Sequence, residues 1–172
     1  DAWLHRSLSA LDAALRQLGS RLVIRRGPTL DALRALAAET GATHVHWNRL
    51  YEPAIVARDK GIKEALREAG LVTESFDAAL LDEPWQVTRD GGGPYRVFTP
   101  FWKACQRIGI DAPPVAAPSG LPPVPAGIEG VPVEALGLAP RIGWDRGFWE
   151  TWQPGEDGAH AMLERFLADA VA

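Results

Sequence analysis

The chain carries a single cysteine, Cys105, among its 172 residues. An internal disulfide is excluded, and a reducing compartment, the cytoplasm, is the expected setting. Basic residues are in deficit, with 18 Lys and Arg against 22 Asp and Glu and a net charge of -4. Neutralising phosphates takes clustered Lys and Arg, so strong nucleic-acid binding by these residues alone is not expected. No apolar run approaches the length needed to cross a bilayer. The first residues, Asp1-Ala2-Trp3-Leu4-His5-Arg6, include neither a start methionine nor a signal peptide, and they read as the interior of a longer chain.

What the chain does have is 47% hydrophobic and 23% charged residues, the balance of a globular domain with a real core. The length suits one domain plus an extension. Leu4, Leu8, Leu11, Leu15 and Leu18 recur at steps of three and four, which predicts a helix closed by Gly19. Arg21 to Arg25 reads as a strand. A second helix opens at Gly27-Pro28, places Leu30, Leu33, Leu36 and Ala37 on one face, and closes at Gly41. Thr43 to Trp47 is the next strand. A third helix follows, with Ile55, Ile62, Leu66 and Ala69 on one side, and Val72 to Phe76 is a third strand. This alternation implies βαβ units with right-handed crossovers, hence a Rossmann-like parallel sheet with helices on both faces. A sheet of three strands has poor edges, so at least one further strand is expected before Asp1.

Beyond Phe76 the rhythm stops. Trp85–Thr88 and Tyr95–Phe98 flank Asp90-Gly91-Gly92-Gly93-Pro94 and predict a loose hairpin. Thr99 to Cys105 predicts a short helix with Pro100 in its first turn. Eight prolines between Gly109 and Gly143 rule out a regular helix or central strand and predict an extended interdomain linker. Gly155 to Ala159 then leads into Met162, Leu163, Phe166 and Leu167, the start of a new amphipathic helix. The expected organisation is 1–108, an α/β domain lacking its first strand; 109–143, the linker; and 144–172, the beginning of an all-α domain.

Five stretches in order resemble the DNA photolyase/cryptochrome family. They are Trp3-Leu4-His5-Arg6-Ser7-Leu8 with Leu11-Asp12; Leu22-Val23-Ile24-Arg25-Arg26-Gly27; and Asn48-Arg49-Leu50-Tyr51-Glu52-Pro53 with Arg58-Asp59. The fourth is Tyr95-Arg96-Val97-Phe98-Thr99-Pro100-Phe101-Trp102, the most specific. The fifth is Trp152-Gln153-Pro154-Gly155-Glu156-Asp157-Gly158-Ala159. The resemblance is to the class I-like cyclobutane pyrimidine dimer photolyases, and it covers nearly the whole chain. It implies a parent deoxyribodipyrimidine photo-lyase, a monomer that repairs UV-damaged DNA with light. An amino-terminal domain would hold a light-harvesting antenna chromophore, and a helical carboxy-terminal domain would bind FAD and the lesion. The chemistry belongs to the flavin, while the protein supplies orientation and electrostatics. The flavin- and lesion-binding region lies beyond these residues, so no catalytic residue is assigned and the piece alone is expected not to repair DNA.

In open α/β sheets ligands sit beyond the carboxyl ends of the strands. The resemblance therefore implies an antenna pocket at Trp47, Asn48, Arg49, Glu52 and Arg58. The alternative is ordinary, with Asn48 a turn residue and Arg58-Asp59 a solvated helix face. Folate-binding members carry an Asn-Glu pair where Ala54 and Ile55 stand here. That speaks against methenyltetrahydrofolate and leaves a deazaflavin, a flavin or no antenna.

His44 and His46 share a strand face but have no evident third ligand, so ordinary strand histidines are expected rather than a metal site. Cys105 is expected to be a small buried apolar residue. Trp102 is expected in the core, and Trp144, Trp149 and Trp152 between domains. Two rivals to a photolyase remain: a cryptochrome-type light sensor without repair activity, and a stand-alone nucleotide-binding α/β module.

Overall fold

The computed structural model describes residues 1–109 and 115–170. In chain order the helices and strands are α1 (Ala2–Gln17), α2 (Thr29–Thr40), β1 (His44–Asn48), α3 (Pro53–Glu68), β2 (Val72–Phe76), α4 (Phe98–Ile108) and α5 (Glu156–Ala170). Two single-turn 3-10 helices lie at Val133–Leu136 and Arg146–Glu150. The fold is mixed α/β with a small parallel sheet. The chain divides into two compact units, residues 42–116 and residues 1–41 with 117–172. Among the described residues no helix is long and apolar enough to cross a membrane.

In the unit 42–116, β1 and β2 pair in parallel, with His44 opposite Val72 and Asn48 opposite Phe76. Parallel neighbours need a crossover, and α3 supplies it. Pro53 in its first turn starts α3 without wasting a hydrogen bond. Past its end, Gly70 at φ +85° lets the Leu71 N–H reach the Leu66 carbonyl at 3.0 Å, while its own N–H bonds Arg67 at 2.9 Å. This pair of bonds closes the helix and turns the chain straight into β2. Ile62 and Leu66, one turn apart, are buried on the expected face. Leu66 is wholly buried and Thr73 is 2% exposed, so the α3–β2 contact is the best-packed part of this unit. Val45 and Trp47 are half-buried on one side of β1, while His44, His46 and Asn48 are exposed on the other.

The loose hairpin expected around Asp90 does not form. The Gln86 N–H bonds the Glu83 carbonyl at 2.8 Å, and the Glu83 N–H is taken by Gln86 Oε1 at 2.6 Å. Those groups are curled into a turn and are not free to make a ladder. The Arg89 N–H instead closes on Gly93 at 3.1 Å, and Phe98 belongs to α4. Pro100 does fall in the first turn of α4. Trp102 corrects a second expectation: it is 49% exposed and stacks on Phe98, one turn away, at 6.4 Å. The buried residue of that helix is Ala104, and Cys105 is half-buried.

In the other unit, the α1 end repeats the α3 device. Gly19 at φ +90° lets the Ser20 N–H bond Leu15 at 2.9 Å, and its own N–H bonds Arg16 at 3.1 Å. The strand expected at Arg21–Arg25 is not one. The Leu22 N–H goes to the Asp12 carboxylate at 2.8 Å, and the Ile24 carbonyl accepts from Val131 at 3.0 Å. Side-chain and isolated backbone bonds replace a ladder there. From residue 117 to 132 the proline-rich stretch forms no helix or strand, turns at Ala126-Gly127, and is tied down. The Leu121 N–H bonds the Leu18 carbonyl at 2.7 Å, the Arg21 guanidinium bonds the Ile128 carbonyl, and Ile128 and Val133 are buried. Residues 110–114 of that stretch lie outside the described residues. Trp149 packs against Trp3 at 6.2 Å under the Arg6 guanidinium at 4.1 Å, and its Nε1–H donates to the buried Asp145 at 2.9 Å. Trp144 and Trp152 are exposed.

Candidate functional site

The carboxyl ends of β1 and β2 open onto a cavity of about 320 Å³, wholly within the unit 42–116. That is the size of a small-ligand site and the place where such folds bind ligands. Five parts of the chain build it. β1 contributes Trp47 and β2 contributes Ser75; the turn after β1 adds Arg49, Leu50 and Tyr51. α3 presents Val56, Asp59, Lys60 and Lys63, and Trp85 stands on the turn beyond β2. The α3 residues fall at i, i+3, i+4 and i+7, a single stripe beside the one that packs on β2.

A polar network anchors the mouth. The Arg49 backbone N–H extends the sheet by bonding Phe76 at 2.8 Å. Its guanidinium donates to the Ser75 carbonyl at 2.6 Å and forms an ion pair with Glu83. Tyr51 donates to the same Glu83 carboxylate at 2.8 Å. Arg49 also lies 5.1 Å from the centre of the Trp85 ring, and Tyr51 packs on Trp85 at 6.2 Å. On the opposite side, Lys63 donates to Ser75 Oγ at 3.0 Å and sits 5.4 Å over the Trp47 ring. The cations thus hold both tryptophans in place through their ring faces.

Two groups here have displaced pKa values. Desolvation, helped by the nearby Asp77 charge, pushes the Tyr51 phenol above its ordinary value. Desolvation alone would raise the Asp77 carboxyl. The N–H groups of Leu80 and Ala79 and the Tyr51 hydroxyl outweigh it and hold the carboxyl below the usual range.

Of the five residues expected in the pocket, Trp47 and Arg49 line the cavity. Asn48 is exposed at the end of β1, on the face opposite Trp47. Glu52 caps the start of α3, and Arg58 is half-exposed and paired with Asp59 at 2.7 Å. None of those three lines it. Tyr51, Lys60, Lys63, Ser75, Glu83 and Trp85 were not singled out from the sequence. The α3 stripe was visible as helical spacing, but nothing local marks Trp85 or Glu83, which reach the site through the turn after β2. Ala54 is exposed, Ile55 is half-buried, and neither lines the cavity. The His44 and His46 rings meet edge to face at 5.9 Å. Among the described residues no group of three His, Cys, Asp or Glu is placed to hold a metal ion.

A larger cleft of about 500 Å³ lies in the other unit, between α1 and the start of α5. Apart from Glu156 and Asp157 its walls are uncharged, and no charge-bearing network converges on it.

The family model for DNA photolyase matches residues 1–119, and the chain belongs to that family. A deoxyribodipyrimidine photo-lyase of Agrobacterium fabrum is 41% identical over 172 residues, 98% of this chain and 36% of that protein. Cryptochrome-2 of Arabidopsis thaliana is 33% identical over 171 residues, 96% of this chain and 28% of that one. The crystal structure of a bacterial class III photolyase from Agrobacterium tumefaciens matches with a TM-score of 0.88 at 41% identity, covering 97% of this chain and 35% of that chain. The chain therefore spans about a third of the length of these relatives.

Proposed function

We propose that this chain is the light-harvesting portion of a deoxyribodipyrimidine photo-lyase, an FAD-dependent enzyme that splits cyclobutane pyrimidine dimers in UV-damaged DNA with light. The observation that carries this is the 41% identity to a protein of that name across 98% of the chain. The aromatic cavity at the sheet's carboxyl edge supports the antenna role. The structural neighbour's printed class supports a class III affinity for the parent. The working arrangement is an α/β domain at 1–108, a connecting segment at 109–143 and the start of the helical domain at 144–172, with the parent a cytoplasmic monomer.

The cavity fits a planar chromophore, with room for one and with tryptophan and tyrosine faces to stack on it. An antenna group held here would supply light absorption, and FAD in the remainder of the parent would supply the redox chemistry of repair. Trp47, Tyr51 and Trp85 would orient the antenna ring, and Arg49 with Glu83 would fix the Trp85 wall. Trp47, Leu50 and Val56 would keep water from the ring. No residue here is given a role in the electron transfer itself.

The 33% identity to a cryptochrome favours one alternative, a light sensor with the same antenna domain and no repair activity. Light-dependent repair of a thymine-dimer oligonucleotide separates them. The full reading frame is expected to restore the thymines under blue light, with the 172-residue piece inactive. Flavin binding without repair by the full frame would establish the sensor, and repair by the piece alone would overturn the division of labour.

A further inference from the structure

We infer that residues 78–86, in the turn beyond β2, are a lid on the cavity, hung between two fixed ends and held shut by a latch at Glu83. This goes beyond the chromophore reading, because it concerns how the cavity opens, whatever fills it. The first observation is how the walls divide. β1, the turn after it, α3 and β2 supply every lining residue but one, and that one is Trp85. Residues 77–97 form no helix or strand, so the Trp85 ring is a wall carried by irregular chain. The rest of the lining stands on or beside packed elements, with α3 and β2 meeting through the buried Leu66 and Thr73.

The second observation is how that segment is attached. At its start the Asp77 carboxylate accepts from the Ala79 and Leu80 N–H groups at 3.2 and 3.1 Å. Just past its end Val87 is buried. Between them Leu80, Leu81 and Trp85 are exposed, and the bonds joining Glu83 to Gln86 curl the segment on itself. The Glu83 carboxylate reaches back to the cavity mouth and takes the Arg49 guanidinium and the Tyr51 hydroxyl. The Trp85 ring lies against the same two side chains. Few buried contacts and a polar latch mark a segment that opens by itself while the domain stays folded. The fixed side survives release of Glu83. Arg49 keeps the Ser75 carbonyl at 2.6 Å, and Tyr51 keeps Asp77 at the hinge, 3.4 Å away. Trp85 leaves with the lid, and the side of the cavity it closed opens to water. The lid thereby sets how fast an occupant enters and leaves.

Lysine acetylation of the 172-residue chain, read residue by residue with mass spectrometry, tests this. Lys63 lines the cavity and is half-buried, while Lys60 on the rim and Lys103 on α4 are exposed and serve as standards. Lys63 is expected to react more slowly than either. In E83Q a hydrogen bond to a charged group is lost, so Lys63 acetylation is expected to rise about threefold or more with the standards unchanged. Y51F removes one latch bond and is expected to give a smaller rise; it carries the test where E83Q does not fold. W85A takes away the wall itself and is expected to match E83Q. In E83Q/W85A no further rise is expected, because both changes act through one ring. Urea below the unfolding transition is expected to leave the Lys63 rate unchanged, since local opening exposes little surface. Lys63 reacting as fast as Lys60 in the unaltered chain would overturn the closed state. Unchanged rates in E83Q and Y51F would overturn the latch. Additive effects of E83Q and W85A would part Glu83 from the wall and overturn the lid. A rate that climbs steeply with urea would make the opening an unfolding, which also overturns it. None of these readouts needs a chromophore, so a lid that fails leaves the antenna reading standing, and the reverse holds too.

Discussion

Glu83 shows how much of this site depends on one side chain. Its carboxylate takes the Arg49 guanidinium and the Tyr51 hydroxyl together, and both of those residues touch Trp85. Glu83→Gln keeps the shape but removes the charge. It is expected to cost about 1.5–3 kcal/mol of stability, the range for a hydrogen bond to a charged group. Urea unfolding followed by tryptophan fluorescence checks this, and an unchanged midpoint would show that Arg49 is satisfied elsewhere. The same turn sets a pH window. The lowered Asp77 contributes stability that is fully present above its ordinary pKa and lost as pH falls through its folded value. The raised Tyr51 contributes stability that is fully present below its ordinary pKa and lost as pH rises through its folded value. The turn is expected to stay closed between about pH 4 and pH 10, the ordinary values of the two groups, and to loosen only beyond them on either side. Proteolytic nicking between residues 77 and 86 against pH reads this directly.

Elements are held here by few and specific contacts. Asp12 joins α1 to the segment after it, through the Leu22 N–H on one oxygen and Arg16 on the other, both at 2.8 Å. Those bonds, Arg16 first and Leu22 next, hold its carboxyl below the ordinary range. Asp12→Ala is expected to destabilise by about 1 kcal/mol, measured by thermal melting. Space decides the sign of substitution at two helical glycines. A Cβ at Gly158 in α5 would stand 1.8 Å from the Gln153 carbonyl oxygen, whereas one at Gly61 in α3 would meet nothing within 4 Å. Gly158→Ala is expected to lower the melting temperature, by overpacking of about 1–3 kcal/mol. Gly61→Ala is expected to raise it, by up to about 1 kcal/mol. The helices α1, α2, α3 and α5 were legible in the sequence because apolar spacing at three and four residues needs no knowledge of distant partners, and α4 from Pro100 in its first turn, whereas the 3-10 turns at Val133–Leu136 and Arg146–Glu150 carry no such period. Also legible were β1 and β2, whose hydrophobic runs sit between glycine and turn signals. Arg21–Arg25 carried the same signal but lacks a ladder, since a strand exists only where a neighbour pairs with it. Trp47 and Arg49 were legible from their place after a strand. Trp85 and Glu83 were not, because a turn with no periodicity brings them in.

Across the whole molecule the outstanding property is exposed apolar surface. Met162, Leu163, Phe166 and Leu167 on α5 are 42–58% exposed, and Phe98 on α4 is more so. Contiguous patches of this kind mark surfaces built to be covered. The relatives are about three times longer than this chain. The 172-residue piece is expected to self-associate as concentration rises, and Phe166→Glu is expected to shift it toward monomer in size-exclusion chromatography with light scattering. A monomer at every concentration would show that the patch is harmless in water.

Absorption and fluorescence excitation spectra of the purified full reading frame, with and without Trp47→Ala, bear most directly on the antenna role proposed for the cavity beyond β1. An antenna bound beyond β1 gives a second absorption band whose excitation drives flavin emission. In the variant that band should fall relative to the flavin bands. An undiminished band and undiminished transfer in the Trp47 variant would mean that the light-harvesting group sits elsewhere and that this cavity does not hold it.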